Sequence, residues 1–144
     1  MKEKQPVVFN IPRCAAIEWS TEVRNACWIS IGEPEKGFCH VQNKILNELP
    51  NLKISFQDLD HNQIEIGDCP PNRKHMKKIM SFLRKNKGKH LIVNCAAGVS
   101  RSSAIAKFLE DFVGYRWAEY GKSFALPNKL VYDILVQLHK ERPL

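Results

Sequence analysis

The chain has 144 residues, 44% of them hydrophobic and 26% charged, which is enough for one compact domain with a core and too little for two comfortable ones. No apolar run approaches the roughly 20 residues of a membrane helix, and a mean hydropathy of -0.34 is ordinary for a soluble globular chain. A net charge of +7 is compatible with a nucleic-acid partner or with a field that attracts anionic substrates, so charge alone does not choose between them.

In chain order, the first apolar stretch runs from Val7 to Ile11, is interrupted by Asn10 and is closed by Pro12. It reads as a strand rather than a secretion signal. Residues 13–20 are expected to form a short helix, and 27–31 a second strand ended by Gly32-Glu33-Pro34. From 40 to 49 the apolar residues Val41, Ile45 and Leu49 recur every four positions beside Leu46, predicting a helix that stops before Pro50. Residues 52–56 alternate with period two and deliver Asp58 and Asp60 just past the strand end.

After Pro70-Pro71, the residues Met76, Ile79, Met80 and Leu83 fall at helical spacing with lysines opposite, and Gly88 ends that helix. Residues 90–94 read as a buried strand running into Cys95. A crossover helix between two strands makes them parallel, so Asp58 and Cys95 come to one edge of the sheet, where open α/β sheets bind ligands. A further helix places Ala104, Ile105, Phe108, Leu109 and Phe112 on the core, with Gly114 as its stop. The last helix carries Leu130, Val131, Ile134, Leu135 and Leu138 after Pro127-Asn128, and residues 115–124 have no assigned structure. The fold class is therefore α/β: a single domain over 1–144 with a mostly parallel sheet of about four to five strands flanked by helices.

The five cysteines Cys14, Cys27, Cys39, Cys69 and Cys95 are odd in number and show neither CxxC pairs nor the histidine spacings of zinc sites. Neither a disulfide framework nor a metal site is expected, and unpaired thiols without an export signal fit a reducing compartment, the cytoplasm by default. Four of them read as small buried hydrophobes. The cationic cluster from Arg73 to Lys89 reads as a solvated helix face. The histidines His40, His61, His75, His90 and His139 read as loop, surface or packing residues, and Trp19, Trp28 and Trp117 as packing residues.

Cys95 stands apart because of what surrounds it. In Cys95-Ala96-Ala97-Gly98-Val99-Ser100-Arg101-Ser102, a thiol and a guanidinium are separated by five residues between a buried strand and a helix start. Such a loop aims backbone N–H groups inward, and Gly98 permits the backbone angles this requires. The helix N-terminus adds positive potential that favours a bound phosphate or a thiolate. Arg101 can grip two phosphate oxygens, and Ser102 can hydrogen-bond the thiolate.

This segment resembles the Cys-x5-Arg-Ser/Thr signature of the protein tyrosine and dual-specificity phosphatase superfamily, with greatest similarity to small bacterial and phage members. The resemblance implies Cys95 as nucleophile and Arg101 as phosphate-binding residue within the loop Ala96, Ala97, Gly98, Val99, Ser100 and Arg101. It also implies that Ser102 assists breakdown of a phosphocysteine, with no cofactor and no metal. Phe56-Gln57-Asp58-Leu59 and Pro127-Asn128 resemble secondary family features. Asp58 is the expected general acid, and Asp60 stands two residues on in the same loop. The family usually has His immediately before the nucleophile, where this chain has Asn94.

The expected activity is hydrolysis of phosphomonoesters on phosphorylated protein, through two-step transfer. The alternatives are a catalytically weak phosphate-binding module, a rhodanese-like sulfurtransferase, disfavoured by Arg101-Ser102, and an RNA 5′-phosphatase. Nucleic acid is not favoured as a partner, because no aromatic residues interleave with the lysines; no membrane partner is expected.

Overall fold

A computed structural model of the chain describes residues 5–34, 41–120 and 122–144. The strands are β1 (Val7–Pro12), β2 (Ala26–Gly32), β3 (Asn51–Ser55), β4 (His90–Cys95) and β5 (Arg116–Trp117). The α-helices are α1 (Arg13–Ile17), α2 (Lys44–Asn47), α3 (Arg73–Lys85), α4 (Arg101–Phe108) and α5 (Lys129–Glu141). All strands join one sheet in the order β3-β2-β4-β1-β5, and every pairing is parallel. The single-domain parallel α/β architecture read from the sequence is the one observed. Among the described residues no helix is long and apolar enough to cross a membrane.

Strands buried on both faces read as near-continuous apolar runs, and β2 and β4 do so because helices cover each side. Cys27, Ile29, Ile31, Leu91, Val93 and Cys95 belong to the core shared with α3, α4 and α5, whereas Trp28 and Ile92 pack with Ile11, Ala16, Val41 and Leu46 on the opposite side. Along β4 the alternation therefore sends Cys95 toward α4 and Asn94 away from it. α3 is started by a reciprocal cap: the Asn72 carboxamide accepts from the His75 N–H at 2.9 Å, and His75 Nδ1 accepts from the Asn72 N–H at 3.3 Å. Its apolar stripe Met76, Ile79, Met80 and Leu83 is buried as the spacing predicts, while Arg73, Lys74, Lys77 and Lys78 stay exposed.

Several local expectations are corrected. The helix predicted over 40–49 is confined to Lys44–Asn47. Asn43 starts it by accepting from the Leu46 N–H at 3.1 Å, and the same side chain donates to the carbonyls of Ala16, Ile17 and Trp19 at 3.0, 3.2 and 2.8 Å. That clamp ties the turn to the end of α1, so Val41 is buried ahead of the helix while Ile45 and Leu49 are only half-buried. His40 and Cys39 lie outside the described residues. α1 ends at Ile17 rather than at residue 20.

Phe112 does not face the core, being 44% exposed. α4 gives way at Leu109 to a π-helical turn, Leu109–Val113, whose extra residue per turn rotates Phe112 outward onto Phe108 at 5.9 Å. Cys14 and Cys69 are exposed, not buried. Cys27 is buried, and burial pushes its thiol up to about 12 against the opposing pull of Lys89. The unassigned stretch supplies β5 and a 3-10 turn, Lys122–Phe124.

Candidate active site

β4 occupies the middle of the sheet and ends at Cys95, opposite Pro12 of β1. The loop 96–100 then turns into α4. Gly98 has φ 70°, and a Cβ there would lie 2.8 Å from Pro12 N and 2.9 Å from Ile11 C. The loop thus lies directly against the backbone of β1, which only glycine allows. Arg13 N donates to Ala96 O at 3.1 Å, fastening the loop's first residue to the start of α1.

The hydrogen-bonding of this loop is one-sided. The carbonyls of Ala96, Gly98, Val99 and Ser100 are all engaged, accepting respectively from Arg13 N, Asn10 Nδ2, Leu126 N and Asn128 N. Ser103 Oγ adds bonds to the carbonyls of Val99 and Ser100. By contrast, the N–H groups of Ala97, Gly98, Val99 and Ser100 donate to no described residue. Buried or half-buried backbone donors need partners, and a stretch that spends its carbonyls outward and keeps its N–H groups free is suited to an anion.

Arg101 opens α4 and is 3% exposed. Its side chain reaches back under the loop: Nη1 donates to Phe56 O at 2.7 Å and Gly32 O at 3.3 Å, and Nη2 pairs with the Glu33 carboxylate. The guanidinium is therefore fixed by the carboxyl ends of β2 and β3. Nε is buried with no partner among the described residues, an unusual state for a charged donor.

Cys95 is 2% exposed, with Sγ 3.1 Å from Ser102 Oγ. Ser102 Oγ also donates to Asn10 Oδ1, and Asn10 Nδ2 donates to Gly98 O at 2.8 Å. While Cys95 carries its proton, it can donate to Ser102, whose own proton goes to Asn10. Once the sulfur is anionic, rotation of the hydroxyl supplies it with a donor. In the sequence Asn10 is legible only as a break in an apolar run; a buried polar side chain amid the apolar residues of a strand is the signal that marks it. On the other side of the sheet, Asn94 Oδ1 accepts from Trp28 Nε1 at 2.8 Å, so the residue before Cys95 is a buried, anchored amide.

Asp58 and Asp60 separate here. Asp58 Oδ1 accepts from Ser100 Oγ at 2.7 Å and from Asn128 Nδ2 at 2.9 Å, which brings the carboxylate to the loop. Asp60 is spent on local structure, accepting from His61 N at 2.8 Å and Lys129 N at 3.3 Å. Both line a cavity of about 470 Å³ with Ser100, Leu126 and Asn128. Asn128 also donates to Leu59 O at 3.0 Å and caps α5 by accepting from Val131 N at 2.9 Å. It was noticed in the sequence only through its Pro127-Asn128 pairing. Glu33, which anchors Arg101, was read only as part of a turn. His61 is tied to Asp133 at 2.9 Å.

The structure thus brings Cys95, Arg101, Ser102 and Asp58 to one sheet edge, while Asp60, which lines the same cavity as Asp58, bonds His61 and Lys129 rather than the loop. No family model matches the chain, and no curated protein matches it in sequence. The solved structure described as the crystal structure of Tk-PTP in the active form is similar to it at 14% identity, over 96% of this chain and 82% of that chain, with a TM-score of 0.45.

Proposed function

We propose that the chain is a phosphomonoester hydrolase of the protein tyrosine or dual-specificity phosphatase type, acting on phosphorylated protein through a phosphocysteine intermediate. The observation that carries this reading is the loop in which the carbonyls of Ala96, Gly98, Val99 and Ser100 are turned to structural partners while four N–H groups and Arg101 Nε have none among the described residues, with the Cys95 thiol beside them.

A phosphoryl group bound there receives backbone and guanidinium donors on its nonbridging oxygens. Cys95 thiolate attacks phosphorus, the S–P bond forms and the P–O bond to the leaving group breaks. Asp58 donates its proton to that leaving oxygen. Both hydrogen bonds to Asp58 fall on Oδ1, so Oδ2 is the oxygen left to carry the proton. In the second step, Asp58 takes a proton from water, which attacks phosphorus. Phosphate leaves, and the returning thiolate accepts the Ser102 hydrogen bond.

The test is hydrolysis of a small aryl phosphate across pH by wild type and by Cys95→Ser, Arg101→Lys, Asp58→Asn and Asp60→Asn. Turnover abolished by Cys95→Ser, cut at least about a hundredfold by Arg101→Lys and stripped of its acid dependence by Asp58→Asn alone supports the assignment. A second reading, a phosphate-binding module, draws on Asn94, whose amide is anchored to Trp28 rather than free to act as an imidazole would. Inactive wild type that binds phosphate through Arg101 would select it.

A further inference from the structure

Large apolar residues left on a surface carry a cost unless something covers them, and here their placement is uneven. Of the seven large hydrophobic residues exposed among the described residues, Ile17, Ile64, Ile66, Tyr120, Phe124 and Leu126 all lie on segments that follow β1, β3 or β5 at the carboxyl edge of the sheet, and only Phe112 lies elsewhere. Tyr120 and Phe124 are 63% and 76% exposed.

Two of these residues, Tyr120 and Phe124, line a pair of cavities beside the loop. One, of about 510 Å³, is bounded by the outer side of the loop at Ala97, Gly98 and Val99 and by Glu119, Tyr120 and Phe124. The second, of about 280 Å³, is lined by Phe9, Ile11, Ala15, Trp19 and Tyr120 with Asn10 beside them. Tyr120 and Asn10 border both cavities, so the two together form a trench that spans from Ala97, Gly98 and Val99 of the loop to the Phe9–Trp19 edge-to-face pair at 6.3 Å. Trp19 Nε1 is already satisfied by Thr21 O, which leaves its ring as plain apolar surface.

We propose that this trench is a specificity subsite that seats a large apolar side chain next to the phosphorylated residue of a peptide substrate. The inference rests on the phosphatase reading for the neighbouring anion site. The second cavity has the size of one large side chain, and the first carries Glu119 and Ser123, acceptors suited to peptide N–H groups on the way from one to the other. An anionic lipid surface is disfavoured by the Glu119 carboxylate at the same opening. In an apolar pocket even one methylene more or less is worth roughly tenfold to two-hundredfold in kcat/KM.

The experiment compares phosphotyrosine peptides carrying Leu or Phe, or instead Ala or Asp, beside the phosphoresidue, with a small aryl phosphate as reference. Both kcat/KM for wild type and fluorescence-polarisation affinity for Cys95→Ser are measured. The expected result is a preference of about tenfold or more for Leu or Phe that is erased by Tyr120→Ser and by Phe124→Ser while aryl phosphate turnover is unchanged. Both residues are exposed, so these variants fold; Trp19→Ala provides a third probe from the far wall. Equal handling of all peptides by an enzyme active on aryl phosphate overturns the subsite and leaves the phosphatase reading intact. Absence of turnover with apolar-selective peptide binding by Cys95→Ser overturns the enzyme reading and upholds the subsite. Faster hydrolysis of phosphoinositides in anionic vesicles than of any peptide overturns the peptide assignment.

Discussion

Replacing Gly98 with alanine adds one methyl group to a backbone at φ 70°, and two costs meet there. A residue with a Cβ in the left-handed region costs about 1–2 kcal/mol. The methyl would also stand 2.8 Å from Pro12 N and 2.9 Å from Ile11 C, both main-chain atoms of β1. Neither can rotate aside, so loop or strand must shift, at a further cost of roughly 1–3 kcal/mol. Gly88 separates the two terms, because it has φ 84° with nothing within 4 Å of its virtual Cβ; Gly88→Ala carries only the first cost. Urea unfolding of both variants should show Gly98→Ala less stable than Gly88→Ala by at least about 1 kcal/mol. Aryl phosphate kcat/KM should fall about a hundredfold in Gly98→Ala, since the displaced N–H groups and thiol no longer share one geometry, and stay near wild type in Gly88→Ala. Equal destabilisation by the two substitutions, or unchanged turnover in Gly98→Ala, would falsify the close-approach reasoning.

Asp58→Asn should lower kcat on substrates with poor leaving groups by about a hundredfold or more and spare those with activated ones, whereas Asp60→Asn should change neither; a leaving-group series decides it. Asn128→Ala removes both the α5 cap and a tether of Asp58, so unfolding should show a loss of about 1 kcal/mol together with a drop in kcat that Asn128→Asp does not restore. The Cys27 thiol titrates at about 12 rather than the ordinary 9 because burial favours its neutral form. Unfolded chain therefore releases this proton first as pH rises, and the stabilisation present below pH 9 is lost between about 9 and 12. Cys27→Ala should flatten the fall in urea midpoint over that window, although Tyr115, held up to about 12 chiefly by burial, leaves a residual slope.

Where sequence spacing and tertiary packing agree, the fold is readable in advance. The strand 90–94, the stripe Met76–Ile79–Met80–Leu83 and the loop from Cys95 to Ser102 needed no partner to be recognised, since periodicity and local chemistry define them. Misreadings fall where a distant contact overrides local pattern. Val41, Ile45 and Leu49 keep helical spacing, yet Asn43 bonds three carbonyls near the end of α1 and cuts the helix short. Phe112 fits the α4 stripe until the π-helical turn adds a residue. In the site, the sequence favours Asp58 over Asp60 only by its place after the strand and its resemblance to the Asp-Leu pair; their bonds to Ser100 and Lys129 tell them apart. Asn10, in β1, and Glu33, just past the end of β2, meet residues distant in the chain.

The central position of β4 has a bearing on how function is lost. Its amides are paired on both sides, to β1 and β2, so exchange of their hydrogens with solvent should require opening of the whole domain. Asp58, by contrast, sits on the irregular segment after β3, an edge strand of the sheet, and is held by one side-chain bond from Ser100 of the loop and one from Asn128 at the start of α5. Mild denaturant should therefore release Asp58, the proposed proton donor, before it disturbs the sulfur. A population in that state would still be labelled at Cys95 by a phosphate-mimicking alkylator after its turnover of ordinary substrates had gone.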